Sequence, residues 1–433
     1  MASLGSFLIS LDILIVNVSL VEIRRDLGGD TVALQWVVDG YTVPFAALLL
    51  TAGNLADRIG AKQAFAWGVA GFAFASLACG LAPTIELLVL ARVVKGISAA
   101  AMLPASLAAI RQAFPDSRAR SKALGLWAVG GAVAGGIGPL VGGALTTIDW
   151  RLVFVVNVPV CMAMIALMRV VPASSRQPSR FDWRGQIASA VSLTALVWGL
   201  IEGGARGRTQ PSVLAALTAA VLGLVGFIAI QRRSTHPMMP LELFRVEAFR
   251  IALAVGFVFI LCWFGTVFVM SLYLQQELGL TPLTAGLVFL PASLLSIVGN
   301  AASGFIANRY SPRVPIVIGL GSIAAGLVGV VLTVPLESPW VLSLCLLLIG
   351  PGGAIAMPPT TSVILDSVPA ERSGIASAIF NTFRQVGGAI AIAVFGTVLE
   401  SAATYTTGLR ISLGVAAILA AAVALLALRV RTR

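Results

Sequence analysis

Charged residues are scarce in this sequence: Asp, Glu, Lys and Arg make up only 11% of it, against about 25% in a typical soluble domain. Hydrophobic residues make up 58%, and the mean hydropathy is +0.98. A chain of 433 residues with so few charges cannot cover itself with a solvated surface, which argues against a soluble protein. We therefore expect an integral membrane protein.

The residues on which much enzyme chemistry depends are also few. His236 is the single histidine, so an HExxH motif or a histidine-based metal cluster cannot form, and no Gly-Lys dipeptide exists for a Walker A loop. Cys79, Cys161, Cys262 and Cys345 stand singly in apolar segments and are interpreted as packing residues. We expect no metal, no cofactor and no catalytic residue, and ATP-driven transport would need another chain.

Long apolar runs are abundant. A helix needs about 20 such residues to cross the hydrocarbon core of a membrane. Fourteen runs of that kind are predicted spans: 2–22, 33–54, 64–83, 85–110, 121–146, 152–171, 186–203, 211–230, 249–275, 283–306, 314–335, 340–364, 374–399 and 408–428.

The formal charge of +11 is distributed by loop rather than gathered into one basic block. Most Lys and Arg residues fall in the even-numbered gaps between spans and in the C-terminal tail. The positive-inside rule then predicts that both termini are cytoplasmic. This pattern favours a multi-pass membrane protein with the lipid bilayer, not nucleic acid, as its partner.

Two pairs of segments indicate an internal duplication. "GNLADRIGAK" at 53–62 has an echo 251 positions later in "GFIANRYSPR", and "GISAAAMLPAS" at 96 has one 254 positions later in "GPGGAIAMPPT", which aligns Pro104 with Pro358. Such repeats are typical of secondary transporters, whose binding site lies near the membrane midplane. The predicted organisation is an N-terminal six-helix bundle (1–172), a linker with two extra transmembrane helices (173–247) and a C-terminal six-helix bundle (248–433).

Several segments resemble signatures of the major facilitator superfamily. "GNLADRIGAK" is similar to its loop signature between helices two and three, "ARVVKGISAA" at 91 to its fourth-helix signature, and "GLWAVGGAVAGGIGPLVGG" at 125 to the fifth-helix signature of its antiporters. "LDILIVNVSL", "WVVDGYTV" and "FDWRG" resemble the fourteen-helix drug:proton antiporter branch. The resemblance implies an all-α integral membrane fold: two six-helix bundles from inverted repeats plus an extra central helix pair, with about 14 transmembrane helices.

The resemblance also implies a function. The expected activity is proton-coupled antiport that exports amphiphilic drugs or antibiotics by alternating access, driven by the proton gradient without a cofactor. The expected partners are a small amphiphilic substrate and protons, and the chain is expected to act as a monomer. A dedicated exporter or importer of one endogenous metabolite is the alternative; a receptor or enzyme would need a soluble domain or a catalytic cluster, and the sequence offers neither.

The loop after the second span carries a candidate conformational latch. The resemblance implies that Asp57, flanked by Gly53, Arg58 and Gly60, meets a helix N-terminus or a cation of the other half and holds one conformation. A helix N-terminus stabilises an exposed anion by about 0.3–1 kcal/mol, which suits a contact that must also release. A solvated basic loop is the alternative.

The fifth span carries a face of small residues at helical spacing, which lets two helix backbones approach closely. The resemblance implies that this antiporter glycine face seals the two halves against proton leak, and generic helix packing is the alternative. The face consists of Gly131, Gly135, Gly138, Pro139, Gly142 and Gly143.

Three charged residues within spans are candidates for proton coupling. Asp12 lies in the middle of the first span, where a carboxylate costs roughly 2.5–3.5 kcal/mol on insertion scales. A carboxyl group at low dielectric can load a proton and release it when hydrated, so Asp12→Asn is expected to fold and bind substrate but lose coupling; a structural hydrogen bond is the alternative. Asp39 and Arg92 lie at similar depths below the outer surface, roughly 9 and 10 Å, and are predicted to be neighbours across the cavity; the alternative is that each lines water separately.

Arg384 lies about ten residues into the thirteenth span, too deep to reach the membrane surface, and is interpreted as a cavity residue rather than a structural tie between helices. The two acidic residues favour lipophilic cations, whereas Arg92, Lys95 and Arg384 favour neutral or anionic compounds, so the charge of the substrate stays open. The predicted substrate cavity contains Asn17, Trp36, Tyr41, Lys95, Trp127, Asn381, Arg384 and Gln385.

Overall fold

The structure is a computed structural model of the chain that describes residues 1–114, 116–170, 174, 181–207, 209–235, 237–369 and 372–430. His236 and the predicted boundary between residues 172 and 173 lie outside the described residues. Every regular element in these ranges is a helix. The described part of the chain contains 14 helical segments long and apolar enough to cross a membrane, which confirms the predicted number.

The spans are single helices, except that the sixth is broken near Val156 into α6 and α7 and the ninth ends in a π-helical turn at Tyr273–Glu277. The helices are α1 (Ala2–Leu27), α2 (Thr31–Ile59), α3 (Ala61–Gly80), α4 (Ile85–Ala113), α5 (Ser117–Ile148), α6 (Leu152–Val155), α7 (Asn157–Leu167), α8 (Trp183–Ala205), α9 (Pro211–Arg233), α10 (Glu247–Leu272), α11 (Pro282–Arg309), α12 (Arg313–Thr333), α13 (Pro339–Asp366), α14 (Ser373–Ser401) and α15 (Tyr405–Ala427).

Local signals account for several helix ends in the first half. Asp30 and Thr84 cap α2 and α4 by accepting hydrogen bonds from backbone N–H groups three residues later. Gly60 ends α2 with a φ of 97°, a conformation that favours glycine, and α3 begins at the next residue. These signals account for both ends of α2 and for the start of α4, the helices that carry most of the candidate site.

By its internal contacts the chain divides into two compact units. The N-terminal unit comprises Met1–Leu196 and Thr218–Met238, and within it α1 packs on α5 while α2 and α3 both pack on α4. The C-terminal unit comprises Val197–Leu217 and Met239–Arg433, and within it α10 packs on α14 while α11 and α12 both pack on α13. The two units therefore repeat one pattern of helix packing.

The helix bounds repeat with the same spacing as the sequence. α2 begins at Thr31 and α11 at Pro282, 251 residues later; α4 begins at Ile85 and α13 at Pro339, 254 residues later. These are the two offsets between the echoing segments. The sequence echoes therefore lie at equivalent places on equivalent helices.

The "FDWRG" segment lies at the start of α8 and connects it to the end of α9 by a hydrogen bond. Asp182 accepts hydrogen bonds from the backbone N–H of Gly185 at 2.9 Å and from Nε2 of Gln231, at the end of α9, at 2.6 Å. A Cβ at Gly185 would lie 2.9 Å from Cγ of Asp182, so glycine keeps this contact open. Gln186 donates to the Ala47 carbonyl at 3.0 Å and accepts from Thr51, which attaches the start of α8 to α2.

Candidate functional site

The N-terminal unit contains a closed cluster of three charged side chains. One carboxylate oxygen of Asp12 pairs with Nη1 of Arg92 and the other with Nζ of Lys95. All three side chains are 0% exposed. Asn157 adds a weaker hydrogen bond to Asp12 at 3.4 Å. One anion therefore serves two buried cations from α4, and the cluster carries one more positive than negative charge.

Aromatic rings enclose the two cations. The Arg92 guanidinium carbon lies 4.6 Å from the centre of the Tyr41 ring, and the Lys95 ammonium lies 4.7 Å from that of Phe72 and 5.2 Å from that of Phe154. Such contacts stabilise a cation by about 0.5–2 kcal/mol. Tyr41 and Lys95, both predicted to line a substrate cavity, are in fact parts of this enclosed cluster.

The predicted pair of Asp39 and Arg92 is wrong. Arg92 binds Asp12 and donates through Nε to the Val37 carbonyl at 2.8 Å. The residue of α2 that faces α4 is Gly40, where a Cβ would lie 3.5 Å from Cβ of Arg92. Asp39, one residue earlier, is rotated by about 100° around the helix axis. Matching depth placed the two residues at one level but not on facing sides of their helices.

Asp39 is buried without a cationic partner. Thr42, one turn later on α2, donates a hydrogen bond to Oδ1 at 2.7 Å, and Oδ2 has no partner among the described residues. The side chain is 0% exposed. An isolated carboxylate buried from water is strongly unfavourable, and a proton would remove its charge. A proton on Asp12 would instead leave Arg92 and Lys95 without their anion.

The other predicted cavity residues of this unit occupy separate places. Asn17 is buried on α1 and donates to the Ile13 carbonyl at 2.7 Å, while its Oδ1 has no partner among the described residues. Trp36 is half-buried on α2. Trp127 of α5 donates through Nε1 to Ser106 of α4 at 2.9 Å. None of these contacts joins them to the charged cluster.

The small-residue face of α5 packs closely against α1. A Cβ at Gly138 would lie 2.9 Å from Cβ of Leu14, and one at Gly142 would lie 2.7 Å from the Ile15 carbonyl oxygen. At Gly135, by contrast, nothing lies within 4 Å. α5 continues through Pro139, and the Gly143 carbonyl accepts a hydrogen bond from Thr147 at 2.7 Å. The close approach of backbones predicted from sequence therefore occurs within the N-terminal unit.

This geometry separates the glycines by their tolerance of a side chain. Gly142→Ala should destabilise the protein by about 1–3 kcal/mol, because the added methyl group meets the backbone of α1. Gly135→Ala should leave stability within about 0.5 kcal/mol of the wild type. Apparent melting temperatures of the purified variants measure both effects. Equal losses for the two variants would contradict this packing.

Sealing of the two halves by the glycine face stays a prediction. Gly135→Leu tests it at the position where an added Cβ meets no atom within 4 Å. A stable Gly135→Leu protein with lost export would favour a seal, and normal export would leave the face as helix packing alone.

The candidate latch lies at the C-terminal end of α2. Asp57 is half-buried and interacts electrostatically with Arg111 at the end of α4, within the same unit. Arg58 is exposed, and Gly53 faces Pro104, whose Cβ lies 3.9 Å from a Cβ built at the glycine. Gly60 needs its positive φ for the turn into α3. The turn is thus explained locally, and the latch itself stays a prediction.

In the C-terminal unit, Arg384 and its neighbours form a polar strip on α14. Nη1 of Arg384 donates to Oδ1 of Asn381 at 3.2 Å, and Asn381 donates to the Ser377 carbonyl at 2.9 Å. Nε of Arg384 and Oε1 of Gln385 are buried without a partner among the described residues. Three of the predicted cavity residues therefore lie together on one helix.

Sequence reasoning missed Asn157, Thr42 and the aromatic rings around the cations. Asn157 is a lone amide in the apolar run "VFVVNVPV", the same signal that singled out Asp12. Thr42 was detectable as a hydroxyl one helical turn after Asp39. Phe72 and Phe154 carry no sequence signal, because phenylalanine is common throughout membrane spans.

Comparison with known proteins shows which family the chain resembles. The model of the Major Facilitator Superfamily matches residues 2–392. The chain is 36% identical to the Methylenomycin A resistance protein of Streptomyces coelicolor, covering 94% of this chain and 86% of the relative. It is 35% identical to the Tetracenomycin C resistance and export protein of Streptomyces glaucescens, covering 92% of this chain and 75% of the relative. A crystal structure of a peptide transporter POT in complex with sulfate shares the fold, with a TM-score of 0.72, 15% identity and coverage of 99% and 92%.

Proposed function

The chain belongs to the major facilitator superfamily, and on that premise we propose that it exports amphiphilic drugs or antibiotics across the cytoplasmic membrane in exchange for protons. Members of this family are transporters, so the chain is a transporter and not an enzyme, as the sequence predicted. Its relatives include proteins named for resistance to or export of antibiotics and the Multidrug resistance protein Stp of Mycobacterium tuberculosis, which is 36% identical over 92% of this chain and 74% of its own length. These names support export rather than uptake.

The observation that carries the proton-coupled part of the proposal is the isolated carboxyl group of Asp39. It is fully buried, has Thr42 as its only hydrogen-bond partner among the described residues, and would lose its charge by taking up a proton. Each proton that moves inward supplies about 2.3 kcal/mol per 100 mV of membrane potential. Asp39 is therefore the favoured proton carrier of the three candidates.

Asp12 and Arg92 receive a different part in this proposal. Asp12 forms ion pairs with both Arg92 and Lys95. Removal of one partner of a buried ion pair destabilises a protein by about 3–5 kcal/mol. The cluster joins α1 to α4 and, through Asn157, to α7. It serves as a fixed charged core of the N-terminal unit rather than as the proton relay that the position of Asp12 first suggested.

The membrane topology, the oligomeric state and the latch are also part of this proposal. We place both termini in the cytoplasm, because most Lys and Arg residues fall in loops of one side. We assign six helices to each bundle and the two extra helices to the linker between them. The transporter acts as a monomer in a bacterial inner membrane, with Asp57 as a latch between conformations.

A drug-susceptibility panel tests the export of drugs directly. Expression in a bacterial host without its own pumps should raise the inhibitory concentration of at least one amphiphilic antibiotic, biocide or dye several-fold. Asp39→Asn, expressed at the same level, should abolish the protection. A panel with no protected compound would contradict drug export and favour a dedicated metabolite transporter.

A further inference from the structure

Arg384 is a half-buried cation near the middle of α14, and its Nε atom is buried. It lies eleven residues after Ser373, the first residue of α14, which is about 17 Å along the helix. From there its side chain cannot reach either membrane surface. Polar and charged groups at such depth are rare and mark substrate or ion pathways.

The guanidinium group of Arg384 has no anionic partner in the part of the chain that the structure describes. No carboxylate of the described residues forms an ion pair with it, in contrast to Arg92 and Lys95, which share Asp12. The carboxylates described in the C-terminal unit lie near helix ends, and Glu371 lies outside the described residues. Those carboxylates are Glu202, Glu242, Glu247, Glu277, Glu337, Asp366 and Glu400.

A structural role does not account for this arginine. Its hydrogen-bond partner is Asn381, and the ring beside it is that of Phe380, 5.8 Å away. Both residues belong to α14 itself, so among the described residues no hydrogen bond or ion pair of this charge joins α14 to another helix. A partly desolvated charge whose polar contacts stay within its own helix adds cost without stabilising the packing.

The surroundings keep the guanidinium group in place. Gly256 of α10 faces the stem of Arg384, and a Cβ there would lie 3.1 Å from Cγ of Arg384 and 3.0 Å from Cζ of Phe380. The missing side chain leaves room for the arginine stem. Asn381 engages Nη1 and leaves Nε, which is buried and has no acceptor among the described residues.

We infer that Arg384 binds an anionic group of the transported compound, such as a carboxylate or sulfonate, through the donor edge that includes Nε. An arginine fork binds such groups by two parallel hydrogen bonds and does so more specifically than a lysine. The buried Oε1 of Gln385, one residue along, accepts a hydroxyl or amide N–H of the same compound. This assignment rests on the proposed function and names its substrate class: amphiphiles with an acidic group. A lipid headgroup is excluded as the source of the anion, because it cannot reach midspan.

Equilibrium binding of a matched pair of probes tests the assignment. 1-Naphthaleneacetate and 1-naphthaleneacetamide have the same ring system and similar size but differ in charge. Purified protein in lipid nanodiscs should bind the carboxylate about tenfold more tightly, since hydrogen bonds to charged groups are the stronger kind. Arg384→Gln should lose that preference and keep its affinity for the amide, and Arg384→Lys should keep part of the preference.

The control is Arg410→Gln, which removes the same charge from an exposed position on α15 and should leave both affinities unchanged. Each variant is checked for a monodisperse elution profile and an unchanged melting temperature. A wild-type protein that binds neither probe, or both equally, would overturn the assignment, as would an Arg384→Gln protein that keeps the preference or loses both affinities together.

The outcome separates this inference from the proposed function. Binding is measured without any gradient, so it does not depend on proton coupling. Absence of the carboxylate preference in a protein that still drives pH-dependent uphill export would remove only the substrate class. A carboxylate preference that depends on Arg384, in a protein without uphill export, would remove only the coupling.

Discussion

Replacement of Asp12 by asparagine is expected to destabilise the folded protein by about 3–5 kcal/mol, because Arg92 and Lys95 would remain buried without their anion. The amide keeps the size of the side chain and some of its hydrogen bonds but carries no charge. The purified variant should show a much lower apparent melting temperature and a smaller monodisperse fraction than the wild type.

A second substitution identifies the cause. Lys95→Met alone should stay close to the wild type, since it leaves one carboxylate with one guanidinium group and replaces a buried cation by an apolar side chain of similar length. Lys95→Met added to Asp12→Asn should restore part of the lost stability, because one of the two uncompensated cations is gone. Wild-type stability of Asp12→Asn would show that Asp12 is not the counterion of this cluster.

Asp39→Asn is expected to preserve folding and substrate binding and to abolish uphill export. The amide keeps the hydrogen bond with Thr42 within reach but cannot take up or release a proton. At 100 mV one proton supplies about 2.3 kcal/mol, enough for about a fifty-fold gradient of a neutral solute, and the variant should sustain none. Proteoliposomes loaded with a compound from the susceptibility panel measure this gradient.

Counterflow in the same proteoliposomes is the internal control. Exchange of labelled for unlabelled substrate needs alternating access but no net proton movement, so Asp39→Asn should retain it. Retained uphill transport in this variant would assign the proton to another group. Loss of both counterflow and binding would make Asp39 a direct contact of the substrate.

Much of the fold follows from the sequence because a segment that crosses the bilayer must hydrogen-bond its own backbone polar groups, which a helix does. Apolar runs of sufficient length predicted fourteen spans, and the offsets of 251 and 254 between echoing segments recur between the starts of α2 and α11 and of α4 and α13. Charged residues isolated in apolar runs were also predicted to be functional, since each is costly in a span. They are Asp12, Asp39, Arg92, Lys95 and Arg384.

The partners of these residues did not follow from the sequence. Depth along a helix is known from residue counting, but the rotation of one helix against its neighbour depends on packing. Gly40 rather than Asp39 lies against Arg92 of α4, and Arg92 pairs with Asp12 instead. The helix that packs against the glycine face could not be predicted either. The spacing predicts that Gly138 and Gly142 allow close approach of another helix, but not that this helix is α1.

The measurement that tests the central claim most directly is the release of protons when substrate binds to the purified protein in weakly buffered solution. If Asp39 carries the coupling proton, substrate should displace a proton from the wild type and from Lys95→Met, and no proton from Asp39→Asn. Wild-type proton release by Asp39→Asn, with substrate binding intact, would contradict the assignment of Asp39 as the proton carrier.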